Sequence, residues 1–160
     1  MPSQGEGIDG FLRARYTERR ELALAATAGP WEAEIEFYEP RKPLVQITTG
    51  SAPVSQPGYF GVRPVAELEG NGDGGVLTAA DAEYIAAHGP EVVLADLDAK
   101  LAVLDEHPDV NDGDCGTCVD GRWGYPTHGG SSPQTHPCRT LRHLAVPFAA
   151  HPDYDERWRP

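Results

Sequence analysis

Long apolar runs are absent from this 160-residue sequence, and no window approaches the roughly 18 consecutive apolar residues that a membrane-spanning helix needs. The N-terminal MPSQGEGIDGFLRAR also lacks the basic start and apolar stretch of a secretory signal. The expectation is a cytoplasmic protein that does not enter a membrane. Positive charge is scarce as well: 13 Lys+Arg stand against 25 Asp+Glu, a formal net charge of -12. Such a balance repels phosphate backbones and anionic lipid surfaces, which argues against broad electrostatic binding of nucleic acid. The densest basic cluster, Arg13, Arg15, Arg19 and Arg20, reads as the solvated face of a first helix. Cysteine is limited to three residues. In a reducing compartment an odd, small set argues against a disulfide framework and points to metal binding or buried thiols.

Catalytic signatures are missing too. There is no H-E-x-x-H, and no H-x-E precedes a P-C-x-x-C of the zinc deaminase kind, Cys115 following Asp114 rather than proline. Ser51, Ser55, Ser131 and Ser132 lie in loop-like sequence without the spacing of a nucleophile elbow. The run GNGDGG at residues 70–75 lacks the Lys-Ser or Lys-Thr that follows a phosphate-binding loop and reads as a plain connection.

The elements that are present predict an α+β fold in which a small antiparallel sheet of about three strands packs against three to four helices. A C-terminal loop and helix would be stapled by zinc. At this length one compact domain is the default, so residues 1–160 are read as a single domain with a flexible start at 1–7. Ile8, Phe11, Leu12, Leu22 and Ala26 fall on a 3.6-residue period, a helix over about 8–26 ended by Gly29-Pro30. Trp31, Ala33 and Ile35 alternate with Glu32, Glu34 and Glu36, the period of a half-buried strand. PLVQITTG supplies a second strand, and YFGVRPVAEL a third that Pro64 confines to an edge. Thr78 with Asp81 reads as a capping box opening a short helix. Pro90 opens the main core helix, where Val93, Leu94, Leu97, Leu101 and Leu104 recur at three- and four-residue steps until Pro108 ends it. A glycine- and aspartate-rich loop over 111–130 follows, then a last helix from Pro137 or Cys138 with Leu141, Leu144, Ala145 and Phe148 on one face. Tyr154 and Trp158 are expected to pin the C-terminal tail.

Chemistry concentrates in residues 107–143. Cys115 and Cys118 form a C-x2-C pair, whose short turn can aim two thiolates at one centre, and Cys138 adds a third at the start of a helix. The fourth donor of a tetrahedral zinc site has four candidates among the histidines. His107 would tie the core helix to the loop, and His143 would make a C-x4-H step along the last helix; spacing alone leaves these two level. His136 shares a cramped turn with Cys138, and His128 lies in the loop. Three thiolates with no positioned base favour structural over catalytic zinc. A redox role for Cys115 and Cys118 would expect the pair at a helix start after a strand.

Taken in order, FLRARYTERR, ATAGPW, AADAEYIAAHGPEVVLADLDAKLAVLDEH, CGTC and PCRTLRHLAVPFAAHPDYDERWRP resemble a family of small actinobacterial and actinophage proteins grouped as a domain of unknown function. GPW followed by DAEYIAA also looks like a motif of tailed-phage accessory proteins. The stretch from about 39 to 77 departs most. Because the histidine ending the core helix tends to accompany the cysteines in that family, the resemblance implies His107 as fourth ligand beside Cys115, Cys118 and Cys138; the position of His143 is commonly apolar there. The resulting expectation is a non-catalytic, zinc-stabilised accessory protein that binds a host or cellular protein. An alternative rests on the phage-like motif alone: a counter-defence protein that sequesters a nucleotide signal or blocks a defence enzyme. A zinc hydrolase is the third reading.

Overall fold

The computed structural model describes residues 7–36, 44–49, 63–67, 78–120 and 132–160. It is an α+β arrangement with four helices and two small antiparallel sheets. The chain divides into two compact units, one made of Arg20–Asp96 and the other of Met1–Arg19 with Leu97–Pro160. The predicted connection at 70–75 lies outside the described residues.

In the Arg20–Asp96 unit, strand β1 (Trp31–Glu36) pairs antiparallel with β2 (Leu44–Thr49), which pairs antiparallel with β3 (Arg63–Glu67). The register sets Trp31 opposite Thr49 and Ala33 opposite Ile47. The apolar set of β1 therefore shares a face with Val45 and Ile47, and Ala82 of helix α2 (Ala79–Ala86) closes over it. Central β2 is buried on both faces, and its inward Thr48 donates its hydroxyl to the Glu32 carbonyl at 3.4 Å, so the buried oxygen is satisfied. Pro64 sits in β3, an edge strand, where a missing N–H breaks no ladder. Thr78 caps α2 in both directions: its hydroxyl accepts from the Asp81 amide at 3.1 Å while its own amide donates to Asp81 Oδ2 at 3.2 Å. The Thr78 hydroxyl and amide together hold the Asp81 carboxyl below its ordinary pKa.

In the other unit, the part of helix α1 (Ile8–Ala25) up to Arg19 buries Ile8, Phe11, Leu12 and Tyr16. One expectation changes here. Leu22 is 73% exposed, and Tyr16 is buried instead; its ring packs 6.0 Å from Phe148. The arginine cluster carries exposed Arg13 and Arg19, as a solvated face requires, and its guanidiniums are partnered. The Arg15 guanidinium lies 5.4 Å from the Phe11 ring and donates to Glu18 at 2.6 Å, Arg19 covers the Phe148 ring at 4.3 Å, and Arg13 pairs with Asp105. Trp158, in a short 3-10 turn (Glu156–Trp158), is buried 5.0 Å from the Phe11 ring, and Tyr154 stands 6.1 Å from it. The tail is thus pinned by aromatic packing, as its two rings suggested.

Helix α3 (Pro90–Asp105) buries Leu97 and Leu104 fully and Val93, Leu94 and Leu101 in part. Over its described residues, 111–120, the stretch after it is not the loop expected from its glycines and aspartates. Strands β4 (Asp109–Val110), β5 (Asp114–Val119) and β6 (Pro133–Thr135) make a second three-stranded sheet in that order. Asn111, Asp112 and Gly113 at φ 51°, 60° and 128° form the turn between β4 and β5, three successive left-handed residues of types that tolerate it. Helix α4 (Arg139–Ala145) then buries Leu141 and Ala145 and gives way at Val146–Phe148 to a 3-10 turn containing Pro147. Among the described residues no helix is long and apolar enough to cross a membrane.

Candidate metal centre

Three elements of the second unit converge on one point. His107 follows the end of α3, its amide donating to the Leu104 carbonyl at 3.1 Å. The turn at Asn111–Gly113 folds β5 back so that Cys115 stands opposite Asp109. The Gly116 amide donates to the Pro108 carbonyl at 2.9 Å, and the Thr117 hydroxyl donates to the Glu106 carbonyl. Gly116 is suited to this approach, because a Cβ there would lie 2.9 Å from Pro108 Cγ. These contacts hold β5 against the end of α3 and bring Cys115 and Cys118 to His107.

Cys138 arrives from the other side. Pairing of β6 with β5 and donation from the His136 amide to the Gly113 carbonyl at 2.7 Å fix the approach to α4. Cys138 is the N-cap residue of that helix, with φ -68° and ψ 170°. Its side chain makes no cap hydrogen bond and is left for the cluster.

His107 Nδ1 lies 3.5 Å from Cys115 Sγ, 3.4 Å from Cys118 Sγ and 3.6 Å from Cys138 Sγ. A tetrahedral zinc with Zn–S of about 2.3 Å and Zn–N of about 2.05 Å has N···S edges of about 3.6 Å. The three observed distances match that edge. All four donor atoms lie within 4.8 Å of one another, and His107, Cys115 and Cys138 are 7%, 3% and 1% exposed, with Cys118 half-buried. Three thiols and one imidazole at tetrahedral spacing could hold a metal ion such as zinc, whose preference is for this donor set.

The thiols differ electrostatically. Burial works against ionisation of Cys115, but the amides of Cys118, at 3.4 Å, and Thr117 outweigh it, with help from His107, and bring its pKa down to about 7. Burial pushes the Cys138 thiol up to about 11, and the neighbouring Cys115 and Cys118 sulfurs add to the shift. A helix start ordinarily favours a thiolate. The nearby Leu141 amide works in that direction at Cys138, yet burial and neighbouring sulfur prevail.

The other described histidines stand apart from the cluster. His136 sits between two carboxylates, Nε2 at 3.3 Å from Asp9 and Nδ1 at 3.7 Å from Asp109. His143 is exposed on α4, and His128 lies outside the described residues. One cluster neighbour went unnoticed in the sequence: Thr140, whose hydroxyl lies 3.7 Å from Cys118 Sγ. Its position two residues after Cys138, in the first turn of a helix, was the available signal. A model of a family of unknown function, DUF6221, matches residues 6–160. No curated protein and no solved structure matches the chain.

Proposed function

We propose, for a chain that belongs to the DUF6221 family, a non-catalytic accessory protein whose Cys3His centre binds structural zinc and whose acidic surface engages a host or cellular protein. The carrying observation is that His107 Nδ1 lies at tetrahedral-edge distance from Cys115 Sγ, Cys118 Sγ and Cys138 Sγ at a largely buried point. Four protein donors complete the coordination of zinc and leave no position for water or substrate, unlike a catalytic site, which keeps one open. His107 would supply a neutral imidazole and the cysteines three thiolates; the ion would supply the charge that lets three sulfurs ionise side by side.

Two features support the binding role. The formal charge of -12 favours a partner with a basic face. The arginines that might have formed a competing basic patch on α1 are drawn onto aromatic rings and carboxylates. An actinobacterial or actinophage setting follows from the sequence resemblance. Metal analysis of purified protein tests the zinc assignment, with one equivalent expected; less than about half an equivalent, with Cys138→Ser folding normally, would sink it. Cross-linking and affinity capture from an actinobacterial lysate tests the partner, which should be lost at high salt.

A further inference from the structure

A centre of three thiolates and one imidazole around a divalent ion carries a net negative charge, and such sulfurs need hydrogen-bond donors around them. Cys115 receives its donors from the backbone, the amides of Cys118 at 3.4 Å and Thr117. Cys118 differs in two respects. It is the one cluster member that is half-buried rather than buried, and the donor beside it is a side chain, the Thr140 hydroxyl at 3.7 Å. A metal-bound sulfur accepts and cannot donate, so the hydroxyl must be the donor. Thr140 lies in the first turn of α4 and Cys118 in β5, so this bond also ties the hairpin ligands to the helix that carries Cys138.

We infer that Thr140 is a positioning residue of the centre, holding the Cys118 thiolate and thereby setting how readily the metal is released through its most accessible ligand. The inference rests on the zinc reading. Without the hydroxyl the Cys118 sulfur loses the donor that holds it and moves more freely away from the metal.

The test uses the full-length metal-loaded protein in four forms: wild type, Thr140→Val, Thr140→Ala and Thr140→Ser. Two quantities are measured, the rate of zinc transfer to excess chelator and the thiolate-to-metal charge-transfer band of the cobalt-substituted protein. Thr140→Val and Thr140→Ala should release zinc about tenfold faster and shift the band to lower energy, while Thr140→Ser restores both. Release within about twofold of wild type with an unmoved band overturns the inference while leaving the zinc centre intact. Faster release that Thr140→Ser does not rescue, with the band unmoved, assigns Thr140 to packing and overturns it as well. A wild-type protein that takes up neither zinc nor cobalt overturns the zinc reading and this inference together.

Discussion

Removing the metal should destabilise the unit that contains it by about 4 kcal/mol, and two routes lead to that figure. The first is topological. Cys138 and His107 are 31 residues apart, and cross-linking a loop of that length restricts the unfolded chain by about 3.7 kcal/mol on the scale used for disulfides. The second is mass action: free zinc at about a thousand times its dissociation constant stabilises the folded state by about 4 kcal/mol. For a unit of this size each kcal/mol moves the melting temperature by about 4–8 °C, so chelation should lower it by on the order of 15–30 °C. Near-ultraviolet circular dichroism against temperature, with and without a strong chelator, measures the shift. Cys138→Ser should reproduce it in the presence of zinc, since the hydroxyl is a poor fourth donor at a position 1% exposed. Amide exchange gives the location: protection should fall first at Gly116 and Cys118, whose amides bond to Pro108 and to the cluster sulfur. A shift below about 3 °C on complete metal removal would refute the reasoning, because the hairpin and α4 would then be held without the cross-link.

Further outcomes are expected on other axes. With Cys138 raised to about 11 and Cys115 lowered to about 7, metal uptake at pH 8 must expel the Cys138 proton. Apparent affinity should therefore rise at least tenfold per pH unit between about 8 and 10, and calorimetry in buffers of different ionisation enthalpy should detect the proton release. In the metal-free protein the signs oppose: the Cys138 contribution to stability is present below the ordinary thiol range and lost as pH climbs towards 11, whereas that of Cys115 is lost as pH falls through 7. Gly113→Ala places a side chain at φ 128° and should cost about 1–3 kcal/mol, with weaker zinc retention, measured by denaturant titration and chelator competition. Trp158→Ala should cost about 3–5 kcal/mol in the same titration by emptying the space beside Phe11. Thr78→Ala removes one half of the α2 cap and should cost about 1 kcal/mol.

The cluster residues were visible in the sequence because zinc-binding chemistry is written in residue type and short spacing. What spacing could not do was choose between His107 and His143. That choice is made by register: Asp109 opposite Cys115 brings β5 back to the end of α3, a long-range fact. His143 lies five positions along the chain from Cys138, about 140° round a helix, and is exposed. The hairpin itself was illegible to hydrophobic periodicity, because DCGTCV has no apolar alternation. Its only local sign was Asn111-Asp112-Gly113, which the abundance of turn residues nearby disguised as loop. The first sheet was easier to read, since Trp31, Ala33 and Ile35 alternate with glutamates and Pro64 marks the edge. Tyr16 was passed over because a stretch dense in arginine looked solvated, while the structure lays Arg15 and Arg19 over aromatic rings.

The poverty of the hairpin in apolar side chains also shows what a metal would add there. Val110 is half-buried and Val119 is 41% exposed, so β4 and β5 bury little hydrocarbon beyond the cysteines themselves. An isolated two-stranded hairpin is marginal in water even with good packing, and β6 adds only three residues, Pro133–Thr135. Hydrophobic burial of these strands therefore adds little to fixing this sheet against α3 and α4, whereas a bound metal would do so, because it would join one residue beyond α3, two from β5 and one at the start of α4. The aromatic packing of Phe11, Phe148 and Trp158 does not depend on those ligands. Loss of metal should accordingly release the hairpin and the start of α4 before that aromatic packing, a sequence of events that a purely hydrophobic core would not produce.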